Sequence, residues 1–293
     1  MNYKKILIVL IVIYSSASVF EIDDRVYGYA NKVINELKGI KNSIQLDEYK
    51  VDMESKKITE IKKNLSGLTY NITTKTLFAI SNRPQIIYEL TKNGKLIRKI
   101  KLKGFKDTEG IVFIKDNLFA IVDEKKQSIY IIKIDENTEI IKRKKVVSKF
   151  LLKIDSYSNL GYEGIAYDKI TNNFFIVNEK LPMQLITISN WLNDSENISI
   201  NFESKIQQLD HFMDDFSGLH FDYKSRNILF LSEESSLVAE VSLSGDKLSF
   251  MDLESGFVGL KNDIPQAEGI TMDEDGALYI VSEPNLFYRF VKK

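Results

Sequence analysis

Residues 267–283 read Ala-Glu-Gly-Ile-Thr-Met-Asp-Glu-Asp-Gly-Ala-Leu-Tyr-Ile-Val-Ser-Glu, and this stretch decides the fold because its pattern occurs five times in the chain. Each copy has two apolar runs of strand length joined by a polar turn, which is typical of a β-hairpin. The other copies lie at 65–82, 108–124, 162–179 and 216–233. Their glycines, at 67, 110, 164, 218 and 269, recur at intervals of 43 to 54 residues.

The interval between copies leaves room for two more strands in each. After the first copy, for example, apolar runs at 86–90 and 97–102 flank a turn at 92–95. Repeats of about 40 to 50 residues made of several short strands are typical of propeller blades. The sequence therefore predicts an all-β protein, a β-propeller of about five four-stranded blades over residues 44–293, with six blades as the alternative.

The two ends of the propeller are expected to meet in one blade. The last copy is one strand short of four, and the segment 44–53 precedes the first copy without a blade of its own. We expect this segment to supply the missing outer strand, because that pairing closes the ring and removes a free sheet edge.

Composition excludes several classes of function. The 293 residues carry 40 basic and 41 acidic side chains, and the net charge of −1 argues against a nucleic-acid binder. The chain has no cysteine and only two histidines, so thiolate or histidine-rich metal centres are not expected. Hydrophobic residues make up 44%, which is enough for a large core.

The N-terminal residues have the pattern of an export signal. Lys4 and Lys5 precede an apolar run over 6–20, with the small residues Ser16 and Ser18 near its end. Residues 1–20 are predicted to be a signal peptide or a membrane anchor, and residues 21–43 a helical stalk or linker. An uncleaved hydrophobic and amphipathic helix would anchor the propeller outside the inner membrane. Cleavage would instead give a soluble periplasmic or secreted protein.

One end of the predicted channel gathers carboxylates. The second strand of each blade returns antiparallel to the first, so the first strand begins at the face where the second one ends. The residues that begin the first strands are Ser66, Glu109, Glu163, Ser217 and Glu268. The residues that end the second strands are Asn82, Glu124, Glu179, Glu233 and Glu283.

Crowded carboxylates repel one another, and a divalent cation with oxygen ligands would offset that repulsion. We therefore expect Ca²⁺ at the channel mouth. Glu109, Glu163 and Glu268 are the expected metal ligands because they lie nearest the axis. The remaining candidates for binding at the channel mouth are Glu124, Glu179, Glu233, Glu283 and His220.

Structural alternatives stay open for these residues. The glutamates could accept backbone amide hydrogens and act only as staples between blades. Arg83, Lys125 and Lys180 could pair with the residues that end the second strands, which we name the second column. His220 takes the position that other copies give to Thr69, Val112, Ala166 and Thr271, and it is either a channel residue or a hydrogen-bonded core histidine. The basic run 142–145 is expected to be a solvated outer strand.

A family resemblance rests mainly on three stretches of the last blade: 266–273 (QAEGITMD), 278–285 (LYIVSEPN) and 287–290 (FYRF). Two stretches of earlier blades also contribute to it, 93–98 (NGKLIR) and 162–167 (YEGIAY). Over residues 44–293 the chain resembles the SdiA-regulated (YjiK-like) family of bacterial envelope proteins. The resemblance implies a β-propeller in the cell envelope behind an N-terminal hydrophobic segment, which favours the membrane anchor, and it implies no established reaction. The Glu-Gly pairs are also similar to those of lactonase-type propellers, whose Glu-Gly-Pro glutamate binds a metal, but here an apolar residue replaces the proline in every copy.

The expected function is a non-enzymatic binding module with a small ligand or an envelope protein as its partner and no nucleic acid. This expectation follows from repeated carboxylates without any recognised nucleophile motif. The alternative is a calcium-dependent hydrolase, in which the metal polarises an ester or lactone and a channel carboxylate is the general base. A structural envelope protein is the third class.

Overall fold

The computed structural model describes residues 42–152, 161–179, 183–193, 196–203, 209 and 212–292. In these ranges the strands form five sheets, and the inner strands of neighbouring sheets contact one another in a closed ring. The fold is therefore a five-bladed β-propeller, as the repeat predicts, and the six-bladed alternative is excluded. The predicted signal or anchor and the predicted stalk up to residue 41 lie outside the described residues. None of the helices within the described ranges is long and apolar enough to cross a bilayer.

Each blade runs from an inner strand at the channel to an outer strand at the rim. Blade 5 takes its outer strand from the start of the described chain, β1 (Tyr49–Lys57). Blade 1 comprises β2 (Leu65–Asn71), β3 (Thr76–Asn82), β4 (Gln85–Leu90) and β5 (Leu96–Lys103). Blade 2 comprises β6 (Thr108–Lys115), β7 (Leu118–Asp123), β8 (Ser128–Lys133) and β10 (Ser148–Leu151), and β9 (Ile140–Lys142) lies between the last two in the chain.

The remaining blades keep the same order. Blade 3 comprises β11 (Tyr162–Asp168), β12 (Asn173–Asn178), β13 (Leu185–Ser189) and β14 (Ser199–Phe202). Blade 4 comprises β15 (Gly218–Asp222), β16 (Asn227–Ser232), β17 (Leu237–Ser242) and β18 (Lys247–Asp252). Blade 5 comprises β19 (Ala267–Met272), β20 (Leu278–Ser282), β21 (Leu286–Lys292) and β1.

Neighbouring blades pack through apolar side chains on both faces of their middle strands. β16 and β20 are buried along their whole length. Rings from adjacent blades meet in pairs, such as Phe78 with Phe119 at a centroid distance of 4.8 Å and Phe175 with Phe221 at 5.3 Å. Full burial of such a side chain contributes about 2–3 kcal/mol, so the continuous apolar runs of the sequence form the core between blades.

A ring of glycines brings the inner strands into backbone contact. A Cβ atom on Gly67 would lie 2.6 Å from the carbonyl oxygen of Glu109, and one on Gly110 would lie 2.5 Å from that of Glu163. Close approach to a backbone atom of the next blade recurs at the equivalent glycine of every blade. We name these five residues the glycine ring: Gly67, Gly110, Gly164, Gly218 and Gly269. Four of the five inner ladders also shift register here, so the glycines coincide with β-bulges and with close approach of the backbones.

The ring closes as predicted, because β1 pairs antiparallel with β21. The strand covers Tyr49–Lys57 rather than 44–53, and the reason lies in the residues before it. The buried carboxylate of Glu240 in blade 4 accepts hydrogen bonds from the Ser43 hydroxyl and the Ile44 amide, each at 2.7 Å. Leu46 is buried beside them. This N-terminal clamp, residues 42–46 on blade 4, delays the start of strand pairing.

The basic run 142–145 is only partly a strand. β9 leaves the path of blade 2 and adds in parallel to β5, so blade 1 gains a fifth strand. Lys142 ends β9, and Arg143–Lys145 form a short 3-10 turn. The turn arises where Arg143 Nε donates to the carbonyl of Gly104 at 2.6 Å.

Candidate functional site

One end of the channel opens into a cavity of about 160 Å³ that is lined by polar side chains. We name it the carboxylate cavity. Its lining residues are Ser66, Asn82, Glu109, Glu163, Glu179, Asp215, Ser217, Glu233, Glu268 and Glu283. Among these described residues there is no lysine, arginine or histidine, so the described lining carries acidic and neutral polar side chains only.

The floor of the carboxylate cavity is formed by the first residues of the repeat copies, one from each blade. Contacts between successive inner strands place them around the axis in the order Ser66, Glu109, Glu163, Ser217 and Glu268. The sequence-predicted metal ligands are thus three of the five floor residues. Serines interrupt the ring on either side of Glu268, while Glu109 and Glu163 come from adjacent blades.

Burial and mutual repulsion favour the protonated form of the three floor glutamates. Burial first, and then the charge of Glu109, raises the pKa of Glu268 to about 9. Burial raises the pKa of Glu109 to about 7, although hydrogen bonds from Ser66 and Asn82 act in the opposite direction. Burial, followed by the charge of Glu109, holds the pKa of Glu163 well above its usual range. At neutral pH the floor therefore holds protons that a cation can displace.

Glu109 differs from the other two floor glutamates because a neighbouring blade binds it. Asn82 of blade 1 donates from Nδ2 to both carboxylate oxygens, at 3.2 and 3.4 Å. Glu109 is therefore held to the neighbouring blade, although by a side-chain amide and not by the backbone amides that the staple alternative assumed. Within the described part of the chain we find no hydrogen bond to the carboxylate of Glu163 or Glu268, and the leading causes of both raised pKa values are burial and neighbouring charges. Among the described residues these two carboxylates therefore have no donor of the kind that a structural staple would need.

The second column surrounds the floor, as predicted. Glu179, Glu233 and Glu283 line the carboxylate cavity. Glu124 lies against Glu163, and both fill the space beside Gly161, where a Cβ atom would meet their carboxylate oxygens at 2.6 and 3.0 Å. Burial raises the pKa of Glu124 and of Glu283. The structure brings all seven predicted glutamates to one face.

Two of the basic residues beside the second column form ion pairs with a buried aspartate of blade 2. Arg83 Nη2 lies 3.2 Å and Lys125 Nζ 2.6 Å from Oδ2 of Asp107. Burial raises the pKa of Glu124, and the charges of Lys125 and Arg83 also act on it, with a smaller effect in the opposite direction. Lys180 lies outside the described residues.

Two buried aspartates were not found from the sequence. Asp107 is 3% exposed and Asp215 is 2% exposed, and each stands two residues before the floor residue of its strand. Asp215 accepts the Glu233 amide at 3.2 Å and so fixes the end of the second column. Oxygen atoms of Asp107, Glu109 and Glu124 lie within 4.8 Å of one another. Both aspartates occupy the same position of the repeat, two residues before the floor residue, and this shared position is the sequence signal by which they could have been predicted.

A second cavity, of about 100 Å³, opens at the opposite end of the channel, and we name it the apolar cavity. His220 lines this cavity, so the structure separates it from the glutamates with which it was grouped. Burial lowers the pKa of His220 to about 4, and its Nδ1 lies 3.5 Å from Thr271 Oγ1. The ring is therefore neutral at pH 7.

The glycine ring divides the two cavities. The space left at this level is about 10 Å³, lined by the five glycines and by apolar neighbours that include Leu68, Ile111 and Leu219. A single water molecule needs about 10–15 Å³. The channel is therefore closed to anything larger than water, and its two ends are separate sites.

Comparison with known proteins gives a family and a fold. The family model described as SdiA-regulated matches residues 41–291. The chain is similar to the solved structure of luciferin-regenerating enzyme, with 12% identity, 82% of this chain and 95% of that chain covered, and a TM-score of 0.50. It is similar to a structural genomics protein of unknown function from Bacteroides thetaiotaomicron VPI-5482, with 12% identity, 82% and 58% coverage, and a TM-score of 0.50. A chain of a nidogen/laminin complex matches with 15% identity, 75% and 73% coverage, and a TM-score of 0.48. At these identities the similarity concerns the fold alone.

Proposed function

The chain belongs to the SdiA-regulated family, and we propose that it is an exported, membrane-anchored binding module whose carboxylate cavity holds a divalent cation. Glu109, Glu163 and Glu268 bind the cation, and the second column around them meets a small ligand or an envelope protein. The observation that carries this proposal is a floor of three glutamates, Glu109 buried and Glu163 and Glu268 partly buried, without a cationic side chain among the described residues of their cavity.

Ligand chemistry favours Ca²⁺ over other divalent ions. The floor offers carboxylate and hydroxyl oxygens only, which suits a hard cation that takes six to eight oxygen ligands. Zinc prefers nitrogen and sulfur ligands, which this floor lacks. Ser217 donates its hydroxyl hydrogen to the Ala267 carbonyl at 2.6 Å, so its oxygen lone pairs remain available to a cation.

The raised pKa values of the floor glutamates predict that Ca²⁺ binding releases protons. Glu268, with a pKa of about 9, keeps its proton at pH 7, and Ca²⁺ must displace that proton before it can bind. Binding should therefore release about one proton or more per ion, and affinity should rise with pH up to about 9.

The test is calorimetric titration of the full chain with Ca²⁺, in a mild detergent because residues 6–20 are apolar. Titrations in two buffers of different ionisation enthalpy give the number of protons released. Saturable binding should be lost in Glu163→Gln and Glu268→Gln, and kept in Glu139→Gln, which changes an exposed glutamate far from the cavity. Absence of binding at millimolar Ca²⁺ with folded protein would reject the cation.

A calcium-dependent hydrolase is the second candidate, and one observation favours it. Glu283 lines the carboxylate cavity outside the floor, and burial raises its pKa, which suits a general base beside a metal. Such an enzyme should cleave ester or lactone substrates only with Ca²⁺ present, and Glu283→Gln should lose turnover while keeping Ca²⁺ affinity. Turnover unchanged in that variant would leave the binding module as the better account.

A further inference from the structure

The apolar cavity is built from one position of all five inner strands, the second residue after each glycine of the glycine ring. These residues are Thr69, Val112, Ala166, His220 and Thr271. Two of them connect blades by hydrogen bonds. Thr69 Oγ1 accepts the Phe113 amide hydrogen at 3.0 Å, and Thr271 Oγ1 accepts that of Tyr70 at 3.1 Å. A hydroxyl of one blade thus satisfies an amide that the next inner strand turns toward the channel.

Three blades lack that hydroxyl, and in two of them, blades 2 and 3, the side chain at this position is apolar. The amides of Tyr167 and Phe221 hold the same place in their ladders as the amide of Tyr70, one pair before the hairpin turn. The preceding blades present Val112 and Ala166 there, and neither side chain has an acceptor. Among the described residues no side chain accepts from these two amides. They therefore face the apolar cavity as donors, and a buried donor without a partner costs about 1–3 kcal/mol.

His220 adds a neutral ring to the same cavity. Its Nδ1 lies 3.5 Å from Thr271 Oγ1, the oxygen that accepts the Tyr70 amide hydrogen. A neutral imidazole has one nitrogen that donates and one that accepts a hydrogen bond. This ring stands on the wall beside the two unsatisfied amides.

The rest of the wall is mostly apolar, with Lys169, Asp273 and Glu274 as its charged members, and it sets the size of an occupant. Leu68, Ile111, Ile165, Leu219 and Met272 line the cavity. Its volume of about 100 Å³ approaches the roughly 150 Å³ that holds a benzene ring in an engineered protein cavity, and its open mouth leaves room for a longer molecule. The wall therefore suits an apolar body, and the donors suit one acceptor group on that body.

We propose that the apolar cavity binds a small uncharged molecule that has an apolar body and a carbonyl oxygen. The carbonyl accepts hydrogen bonds from the amides of Tyr167 and Phe221, and the neutral ring of His220 lies within the same wall. The glycine ring separates this site from the carboxylate cavity, so the proposal is independent of the cation.

The test compares two probes of one shape. Acetophenone has the carbonyl, and α-methylstyrene replaces its oxygen with a methylene group. Binding to the full chain is measured by ligand-observed NMR, and acetophenone should bind at least tenfold more tightly. Equal affinity for both probes, or no binding of either, would overturn the proposal.

Two substitutions supply the hydroxyls that blades 2 and 3 lack. Val112→Thr and Ala166→Thr copy the Thr69 and Thr271 arrangement, so the double variant should keep α-methylstyrene binding and lose the preference for acetophenone. Val147→Thr, at a residue that is 59% exposed, is the matched control and should keep the preference. A preference retained in the double variant would also overturn the proposal.

A measurement on the wild-type chain covers the case in which the double variant does not fold. With tyrosine and phenylalanine labelled by ¹⁵N, acetophenone should shift the amide signals of Tyr167 and Phe221. The capped amides of Tyr70 and Phe113 should move much less. Equal shifts at all four amides, or none at saturation, would contradict the assigned contacts.

Discussion

Replacing Glu268 by glutamine should stabilise the metal-free protein at alkaline pH. The folded chain keeps the Glu268 proton up to about pH 9, because its pKa is about 9 there, whereas the ordinary value is 4.5. A group with a raised pKa binds more protons in the folded state than in the unfolded state. Its contribution to the free energy of unfolding is therefore intact below pH 4.5 and falls as pH rises toward 9.

The size of the effect follows from the same two values. Each pH unit between them costs about 1.4 kcal/mol. At pH 8 the wild-type protein therefore bears a penalty of about 5 kcal/mol that Glu268→Gln lacks, and at pH 5 the penalty is only about 1 kcal/mol. The gain of the variant should thus be about 4 kcal/mol larger at pH 8 than at pH 5.

Urea unfolding with a chelator, at pH 5 and pH 8, measures this difference. Any effect of glutamine that does not depend on ionisation is common to both pH values and cancels. Glu139→Gln, an exposed site, should show equal changes at both. Saturating Ca²⁺ should reverse the order, because only the wild type gains a ligand. A variant that is destabilised equally at both pH values would refute the reasoning, since the carboxylate would then be a structural acceptor.

Other perturbations test the frame around the sites. Gly110→Ala should lower the free energy of unfolding by about 3 kcal/mol, because its Cβ would lie 2.5 Å from a carbonyl oxygen. Gly256→Ala, with no atom within 4 Å of the new Cβ but a φ of +90°, should cost only about 1 kcal/mol in the same urea experiment. Glu240→Ala should release the N-terminal clamp, and limited proteolysis should then cut near residue 43 faster than in Glu139→Gln; equal rates would show that the clamp adds no protection. Intact mass of the chain recovered from membranes should match residues 1–293 for an anchor, and loss of about 20 residues would identify a cleaved signal instead.

The fold could be predicted from the sequence because the glycine period reports a contact that every blade repeats. Glu109 and Glu268 could be placed on one face because an antiparallel hairpin returns to the end where it started. The exact start of β1 could not, since the N-terminal clamp depends on Glu240, which is 196 residues from Ile44 in the chain. The two unsatisfied amides of the apolar cavity, those of Tyr167 and Phe221, could not be predicted from the sequence either. They depend on the packing between blades, which places the apolar side chains of Val112 and Ala166 next to them.

The N-terminal clamp also sets the side on which the described chain enters the propeller. The Asn42 carbonyl accepts a hydrogen bond from Asn227 Nδ2 at 2.6 Å, and the Tyr49 hydroxyl donates to the Gly276 carbonyl at 2.8 Å. Asn227 begins β16 directly after a hairpin turn and Gly276 lies within one, and both are at the end of the channel that holds the apolar cavity. The chain therefore enters the propeller on that side. The proposed membrane anchor would thus tether the protein at the end of the apolar cavity, and the carboxylate cavity would lie at the opposite end of the channel from the tether.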